Sequence, residues 1–333
     1  MMRLDSKSGL ILLVILVLLA LAGPWLIPQY RIDRLTLALV YGAATLGLVV
    51  ITGRAGQLSI GHSAFFGLGA YTAGILLTRG LVPLPLALLA GAATGGALGL
   101  VFGKPALKLR GFQLAVVTAA LAIVFPLLLP RFSTLTGGHA GLAIPPQFAP
   151  ESWGLSSVSW MYLVTVVTVA LLAFAAWAVT RNRLGRALDA IRLSEITARS
   201  MGIDVAGYKL AAFTVSAICA GLAGGLYAAV IGFIAPEAFG LLLNLTFLAA
   251  LMVGGSRVIA GAFLGGLFVQ LAPELAGGVS QAWTQLLFGA ILIGVVFFLP
   301  GGLASLATSV RPRPDSTTGH PRISKSDKSE SDR

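Results

Sequence analysis

Residues 82–103 read VPLPLALLAGAATGGALGLVFG and contain no charged side chain. An apolar stretch of about 18 or more residues is long enough to cross the hydrocarbon core of a membrane as a helix. Small residues at every fourth position also let a second helix backbone approach closely in lipid. The stretch therefore predicts a transmembrane helix with one packing ridge. The ridge consists of Gly91, Gly95, Gly99 and Gly103.

The composition of the full chain extends this interpretation. Of its 333 residues, 57% are hydrophobic and 11% are charged. Soluble domains have roughly 45–50% apolar residues and about 25% charged residues. The net charge of +11 does not indicate nucleic-acid binding, because the basic residues form no single stripe on a soluble face. We therefore predict an all-α protein, a polytopic bundle of transmembrane helices.

Charge-free runs divide the chain into about ten predicted spans. They are 9–27, 35–52, 60–78, 82–103, 111–130, 158–180, 210–232, 241–255, 259–273 and 282–300. The first run ends in an A-x-A pattern and could instead be a cleaved signal peptide, although it is long for one. The run 132–150 contains three prolines and a Gly-Gly pair, so we interpret it as a loop. The predicted membrane domain is 1–310, and the polar tail 311–333 is predicted to be disordered in the cytoplasm.

The distribution of Lys and Arg predicts the orientation of the spans. With the N-terminus in the cytoplasm, 19 of the 23 basic residues lie on the cytoplasmic side and four lie outside. Loops on the cytoplasmic side of a membrane carry an excess of Lys and Arg. Both termini are therefore predicted to be cytoplasmic.

Several kinds of functional group are absent from the sequence. No predicted span carries an acidic or basic residue in its middle, which argues against a proton-coupled carrier. The sequence contains neither a phosphate-binding G-x-x-x-x-G-K-[ST] motif nor a pattern of metal ligands. We predict no cofactor and no enzymatic activity, so energy for transport against a gradient must come from another chain.

A polar, glycine-rich stretch, GRAGQLSIGHSAFFG, occupies residues 53–67. Its four glycines weaken a continuous helix, and irregular backbone at membrane depth must be buried in protein or line a wet cavity. This pattern identifies four candidates for the lining of a translocation path, namely Gln57, Ser59, His62 and Ser63. The alternative is a plain cytoplasmic turn in which His62 is interfacial.

The cytoplasmic segment 181–209 has an amphipathic pattern. Its apolar stripe consists of Leu184, Leu188, Ile191 and Ile196. Such a helix could lie on the membrane surface or dock into a groove of a soluble partner. A second small-residue ridge follows in the next span, where Gly221 and Gly225 repeat the four-residue spacing.

These motifs resemble a known family, the LivM-type permeases of bacterial high-affinity branched-chain amino acid ABC importers. The resemblance runs in order through most of the chain. It rests on GQLSIGHSAFFGLGAY at 56–71, LTGGHAGL at 135–142, AIRLSEITARSMGI at 190–203, YKLAAFTVSAICAGLAGGLYA at 208–228, IAPEAF at 234–239, GGSRVIAGAFLGG at 254–266 and LPGGL at 299–303.

The resemblance implies a multi-pass subunit of the bacterial inner membrane that imports branched-chain amino acids by alternating access. Its implied partners are a homologous second permease, two ATP-binding subunits and an extracytoplasmic solute-binding protein. It also implies that Glu195, Ala198 and Gly202 form a coupling motif that contacts an ATPase. Ser194 departs from the family pattern, because an acidic residue often stands there.

Other functions stay open at this point. The family that the chain resembles also includes importers of urea, short amides and other small amino or carboxylic acids. The resemblance implies that a soluble receptor does most of the solute selection. A stand-alone channel or an ion-coupled carrier is the alternative from another class, because Na⁺ coupling through backbone carbonyls needs no ionisable residue.

Overall fold

The computed structural model describes residues 28–107, 112–150 and 153–275, together with Gly23 and Gly289. In chain order its elements are α1 (Gln29–Leu48), α2 (His62–Thr78), α3 (Leu84–Ala106), α4 (Phe112–Leu128), α5 (Ser133–Thr136), β1 (Leu142–Ala143), α6 (Ser157–Arg181), α7 (Arg183–Leu193), α8 (Glu195–Ser200), α9 (Val205–Ile231), β2 (Phe233–Ile234), α10 (Leu241–Gly254) and α11 (Ile259–Leu275). A π-helical turn, Val49–Arg54, continues α1.

Five helical stretches within the described residues are long and apolar enough to cross a membrane. They are Gln29–Arg54, Leu84–Pro105, Gln113–Thr136, Ser157–Arg181 and Val205–Ile231. The prediction of a mainly helical, multi-pass membrane protein is therefore confirmed, with one short β ladder added. Helices α2, α10 and α11 are shorter, with 17, 14 and 17 residues.

The long helices follow the predicted spans along the chain. Eight of the ten predicted ranges each overlap one described helix, and for three of them that helix is the shorter α2, α10 or α11. The predicted spans 9–27 and 282–300, apart from Gly23 and Gly289, and the predicted tail 311–333 lie outside the described residues. A total of ten spans thus stays a prediction.

Helix α9 lies at the centre of the bundle. It packs against α1, α2 and α3, and the core beside it contains a group of contacting aromatic rings. That group comprises Phe66, Tyr227, Phe239 and Phe247. The outward faces of α3, α4 and α6 instead expose large apolar side chains such as Leu86, Leu127 and Leu171. Apolar side chains on outward helix faces are what a lipid environment requires.

The two ends of the bundle differ in structure. At one end α1 and α6 begin and α9 ends, and a two-residue antiparallel ladder pairs β1 with β2 there. Ile144 N–H also donates a hydrogen bond of 2.8 Å to the carbonyl of Gly232. At the other end α6 ends, α9 begins and the segment 181–209 lies between them. We call these the ladder end and the α7–α8 end.

The segment 181–209 does not form one amphipathic helix. Helix α7 ends at Leu193 and α8 begins at Glu195, because Ser194 has extended backbone angles and caps α8. The Ser194 hydroxyl oxygen accepts a hydrogen bond of 3.3 Å from Thr197 N–H, a usual way to satisfy a free donor at a helix start. The prediction of one continuous stripe from Leu184 to Ile196 is wrong for this reason.

Candidate functional site

The polar stretch after Arg54 is irregular backbone held by specific hydrogen bonds. Gln57 N–H donates to the carbonyl of Ile51 over 3.1 Å, and the Thr52 hydroxyl donates to the carbonyl of Gln57 over 3.0 Å. Ile60 N–H donates to the hydroxyl of Thr118 on α4 over 3.0 Å. Side chains and neighbouring turns thus replace part of the missing helical hydrogen bonding, as buried backbone requires.

The first turn of α2 is satisfied by a side chain from a distant helix. The Asn244 side-chain oxygen accepts hydrogen bonds from His62 N–H at 2.8 Å and from Ser63 N–H at 3.3 Å. The His62 ring nitrogen Nε2 lies 2.8 Å from the carbonyl oxygen of Ala44 on α1. Three helices therefore meet at His62.

All four predicted path residues are buried in this structure. Gln57 is 8% exposed, and Ser59, His62 and Ser63 are 1% exposed or less. The alternative of an interfacial His62 does not fit this burial. Three polar atoms of this region are nevertheless buried without a hydrogen-bond partner, namely Gln57 Oε1, Ser63 Oγ and Asn244 Nδ2.

The α7–α8 segment is attached to the end of α1 by charged groups. Arg54 Nη1 lies 2.8 Å from Asp189 Oδ2, and the Arg192 guanidinium donates a hydrogen bond to the carbonyl of Gly53. Partial burial, followed by the nearby positive charge of Arg257, lowers the pKa of Arg192. The end of α1 and the 255–258 turn therefore both lie close to α7.

An apolar cluster lies beneath the same segment. Leu188 and Ile191 of α7 and Ala198 of α8 pack with Val50 and Val205. These contacts bury the inward faces of both short helices against α1 and α9. A surface helix that contacts only lipid does not describe this arrangement, because its apolar face already packs on protein.

The three residues of the predicted coupling motif have different environments. Glu195 forms ion pairs with Lys209 and, across 3.8 Å, with Arg199. Ala198 is buried. Gly202 has φ +78°, and a Cβ there would have no atom within 4 Å. A side chain at position 202 would thus meet open space, but it would need a left-handed backbone that favours glycine.

The outward face of this segment carries exposed apolar side chains. Leu193, Ile196 and Met201 are 87%, 81% and 78% exposed, and we call them the exposed triad. The three residues lie within nine consecutive positions, 193–201, and exposed large apolar side chains that cluster mark interaction sites. The sequence pattern had placed Ile196 in one apolar stripe with Leu184, Leu188 and Ile191, whereas in the structure Leu188 and Ile191 are buried and Ile196 is exposed.

The predicted glycine ridge of α3 lies against α9. A Cβ at Gly95 would lie 2.6 Å from the carbonyl oxygen of Ala217, and one at Gly91 would lie 2.9 Å from that of Gly69. The remaining ridge glycines face the same helix or its neighbours: Gly99 meets Ala217, Gly103 meets Leu210, Gly221 meets Gly91, and Gly225 meets Ala73 and Leu88. Helices α2, α3 and α9 therefore approach at backbone distance.

Sequence reasoning missed three residues that the structure brings into these sites. Asn244 supports α2, Thr118 supports the polar stretch, and Lys209 pairs with Glu195. Asn244 and Lys209 each carried a signal, because a polar side chain within or beside an apolar run needs a partner. The partner itself could not be read from the sequence.

The whole chain is similar in sequence to known membrane permeases. The family model described as "Branched-chain amino acid transport system / permease component" matches residues 30–296. The chain is similar to the high-affinity branched-chain amino acid transport system permease protein LivM of Escherichia coli K12, with 33% identity over 87% of this chain and 74% of the relative. It is 32% identical to LivM of Salmonella typhimurium over 89% of this chain and 75% of that relative.

More distant similarities extend over comparable lengths. The autoinducer 2 import system permease protein LsrC of Escherichia coli O157:H7 is 27% identical over 88% of this chain and 87% of its own. A solved structure of an inward-facing metal-chelate-type ABC transporter aligns with a TM-score of 0.43 and 19% identity, covering 87% of this chain and 97% of the other.

Proposed function

The chain belongs to the family of permease components of branched-chain amino acid transport systems, and we propose that it imports leucine, isoleucine and valine as the membrane subunit of an ATP-driven importer. The observation that carries this proposal is the family match over residues 30–296, which includes every described helix except the first residue of α1. Alternating access of the helix bundle would move the solute inward.

Uptake of radiolabelled leucine tests this function. A bacterial strain without the gene should lose high-affinity leucine, isoleucine and valine uptake, and the intact gene should restore it. Parallel assays with urea, short amides and autoinducer 2 test the other solutes that relatives or the family suggest. Restored uptake of one of those solutes alone would contradict the branched-chain assignment.

The energy source separates an ABC importer from a channel or an ion-coupled carrier. The proposed partners are a homologous second permease, two ATP-binding subunits and an extracytoplasmic solute-binding protein. Uptake should stop when the ATPases are made unable to hydrolyse ATP, and it should survive collapse of the ion gradients while ATP is kept high. The opposite pattern would indicate a carrier.

The proposed arrangement in the membrane follows the charge distribution. The α7–α8 end faces the cytoplasm and the ladder end faces outward, within a membrane domain of residues 1–310 in the bacterial inner membrane. Both chain ends and the tail 311–333 are then cytoplasmic. The charge asymmetry of 19 to four supports this orientation.

The proposed coupling element is the pair α7–α8 within 181–209. Its exposed triad offers apolar surface to a groove of an ATPase, and its charged anchors carry movement into α1 and α9. Glu195 acts from within this element through Lys209, Ala198 holds α8 against the bundle, and Gly202 turns the chain towards α9. The contacts of these residues, rather than direct exposure of all three, support the assignment.

The proposed path runs beside Gln57, Ser59, His62 and Ser63. Three of the buried polar atoms without a partner support it, those of Gln57, Ser63 and Asn244, because an unpaired buried polar group costs free energy and a polar solute beside it would supply a partner. In this conformation the four side chains are buried, so a path beside them requires α2 to move relative to α1 and α10.

A further inference from the structure

Three arginines from separate parts of the chain meet around Gly53, at the α7–α8 end of the bundle. Arg54 follows Gly53 directly, and the Arg192 guanidinium of α7 donates a hydrogen bond to the Gly53 carbonyl. A Cβ at Gly53 would lie 3.7 Å from the main-chain nitrogen of Arg257. The end of α1, helix α7 and the 255–258 turn therefore bring one basic residue each to the same place. We call Arg54, Arg192 and Arg257 the arginine cluster.

The arginine cluster carries more positive charge than the surrounding protein balances. The carboxylate of Asp189 is paired with Arg54 at 2.8 Å. Within the described part of the chain, neither Arg192 nor Arg257 forms an ion pair. Partial burial, and next the charge of Arg257, lowers the pKa of Arg192, as expected for like charges held close together. An anion bound beside these two arginines would remove that unfavourable interaction.

The Arg192 side chain is held in place before any ligand binds. Its hydrogen bond to Gly53 fixes the guanidinium, and its Cγ atom would lie 3.1 Å from a Cβ at Gly56, which has φ +68°. A guanidinium has five N–H donors in a fixed fork, so the bond to Gly53 leaves others available. This fork matches the spacing of phosphate oxygens. A fixed arginine with spare donors suits a phosphate group.

Arg257 lies where two apolar helices meet the membrane surface. The helices on either side of it are Leu241–Gly254 and Ile259–Leu271, and Arg257 itself is exposed. Met252 in the last turn of α10 is 44% exposed, and Val258 is 40% exposed. Exposed apolar side chains at the end of membrane helices contact lipid chains, while a long basic side chain beside them reaches the headgroups.

The end of α6 gives a second indication of the membrane surface. The Arg181 guanidinium carbon lies 4.7 Å from the centre of the Trp177 ring. Tryptophan is enriched at the boundary between membrane and water. Helix α7 begins two residues later, at Arg183, so it starts at the level of the lipid headgroups.

We propose that the arginine cluster binds the phosphate of an anionic phospholipid, with Arg192 and Arg257 at the phosphate oxygens and Met252 and Val258 against the acyl chains. Basic pockets between membrane helices bind anionic headgroups in this way. An acidic segment of a soluble partner would not use the apolar side chains beside Arg257, so the surroundings favour a lipid. The bound lipid would join α7 to the 255–258 turn. This proposal does not depend on which solute the protein transports.

Lipid binding to the purified protein tests the proposal. The full chain, with the subunits that co-purify with it, is titrated in neutral detergent with phosphatidylglycerol, and native mass spectrometry gives the Kd of the first bound lipid. Arg257→Gln should raise this Kd at least about fivefold, the contribution of one basic residue near a membrane surface. Phosphatidylcholine, whose headgroup has no net charge, should bind more weakly and should not respond to the substitution.

The matched control is Arg183→Gln. It removes the same charge from an exposed position of the same helix, about two and a half turns from Arg192, and should leave the Kd unchanged. Val258→Asp is the second variant, because it keeps all three arginines and places a carboxylate next to Arg257. It should also weaken phosphatidylglycerol binding, and it decides the question if Arg257→Gln does not elute as a folded protein in size-exclusion chromatography.

Three results would overturn the proposal. Equal binding of phosphatidylglycerol to the unmodified protein, Arg257→Gln and Val258→Asp would place the lipid elsewhere. Displacement of phosphatidylglycerol by equimolar inorganic phosphate would identify a free anion as the ligand. Loss of the ATP-binding subunits from Arg257→Gln, with lipid binding unchanged, would make the cluster a protein contact.

Discussion

The Asn244 side-chain oxygen accepts the His62 main-chain N–H at 2.8 Å, although 182 residues separate the two in sequence. One amide side chain of α10 thus completes the first turn of α2. Because His62 also contacts the Ala44 carbonyl, this bond places α2 relative to both α1 and α10. The relationship gives the polar stretch a structural role in addition to any role in transport.

Asn244→Ala should lower the free energy of unfolding by about 1–3 kcal/mol, because two buried N–H groups lose their acceptor. Chemical unfolding of the detergent-purified importer measures this loss. Thr246→Ala on the same helix is the control, since its hydroxyl bonds only to the Leu242 carbonyl one turn earlier. Equal stabilities of the two variants would show that the Asn244 contact contributes nothing.

Gly95→Ala should reduce the amount of folded importer. The new Cβ would lie 2.6 Å from the Ala217 carbonyl oxygen, so α3 and α9 would have to separate, and overpacking of this kind typically costs about 1–3 kcal/mol. Size-exclusion chromatography of solubilised membranes reports the folded yield. Ala97→Leu adds more volume on the exposed side of α3 and should be tolerated. A normal yield from Gly95→Ala would refute the ridge as a close contact.

Glu195→Gln should loosen the α7–α8 segment more than Lys209→Gln. The Lys209 side chain is 10% exposed and that of Glu195 is 34% exposed, so the unpaired lysine is the more costly partner to leave behind. Trypsin cleavage after Arg199 should be faster in Glu195→Gln. Joint replacement of both residues by glutamine should recover part of the resistance. Identical cleavage rates in all three proteins would count against the ion pair as an anchor.

Ile196→Asp should weaken attachment of the ATPases, because it places a charge in the middle of the exposed triad. Co-purification of the ATP-binding subunits measures attachment, and uptake should fall with it. Leu81→Asp is the matched control, since Leu81 is also exposed but follows α2 at the ladder end. Full attachment of the ATPases to the Ile196→Asp protein would mean that they dock elsewhere.

Single-cysteine labelling tests the proposed orientation. In a Cys219→Ser background, Phe148→Cys should react with an impermeant thiol reagent added from outside, and Thr197→Cys should react only after the membrane is opened. Both positions are exposed in the structure. Reaction at position 197 in sealed cells would reverse the orientation.

The helices were predictable because each long apolar run must bond its backbone internally in lipid. Helix α6, Ser157–Arg181, differs from the predicted 158–180 by one residue at each end. The break at Ser194 was harder to predict from the sequence, because the apolar spacing continues across it to Ile196. A Ser three residues before Thr197 is a capping signal, but it competes with that spacing.

The partners of individual polar residues were not predictable. The glycines around His62 correctly indicated irregular backbone, yet only the fold shows that Asn244 and Thr118 complete its hydrogen bonding. Likewise Glu195 was expected to contact another subunit, and its ion pair with Lys209 depends on how α8 folds back on α9. Such contacts join residues that are far apart in the sequence, so a local sequence pattern cannot predict them.

The close approach at Gly221 has a mechanical consequence. Gly221 meets Gly91 and Gly95 at backbone distance, and it lies about midway along the 27 residues of α9, a rod of roughly 40 Å. Further close contacts hold α9 on either side of this point, at Leu210 and at Gly225. A stiff helix held at several points along its length cannot bend independently of its neighbours, so a displacement applied at Lys209 would reach the Val230–Gly232 end together with α2 and α3. The glycines would thus make the two ends of the bundle respond as one unit.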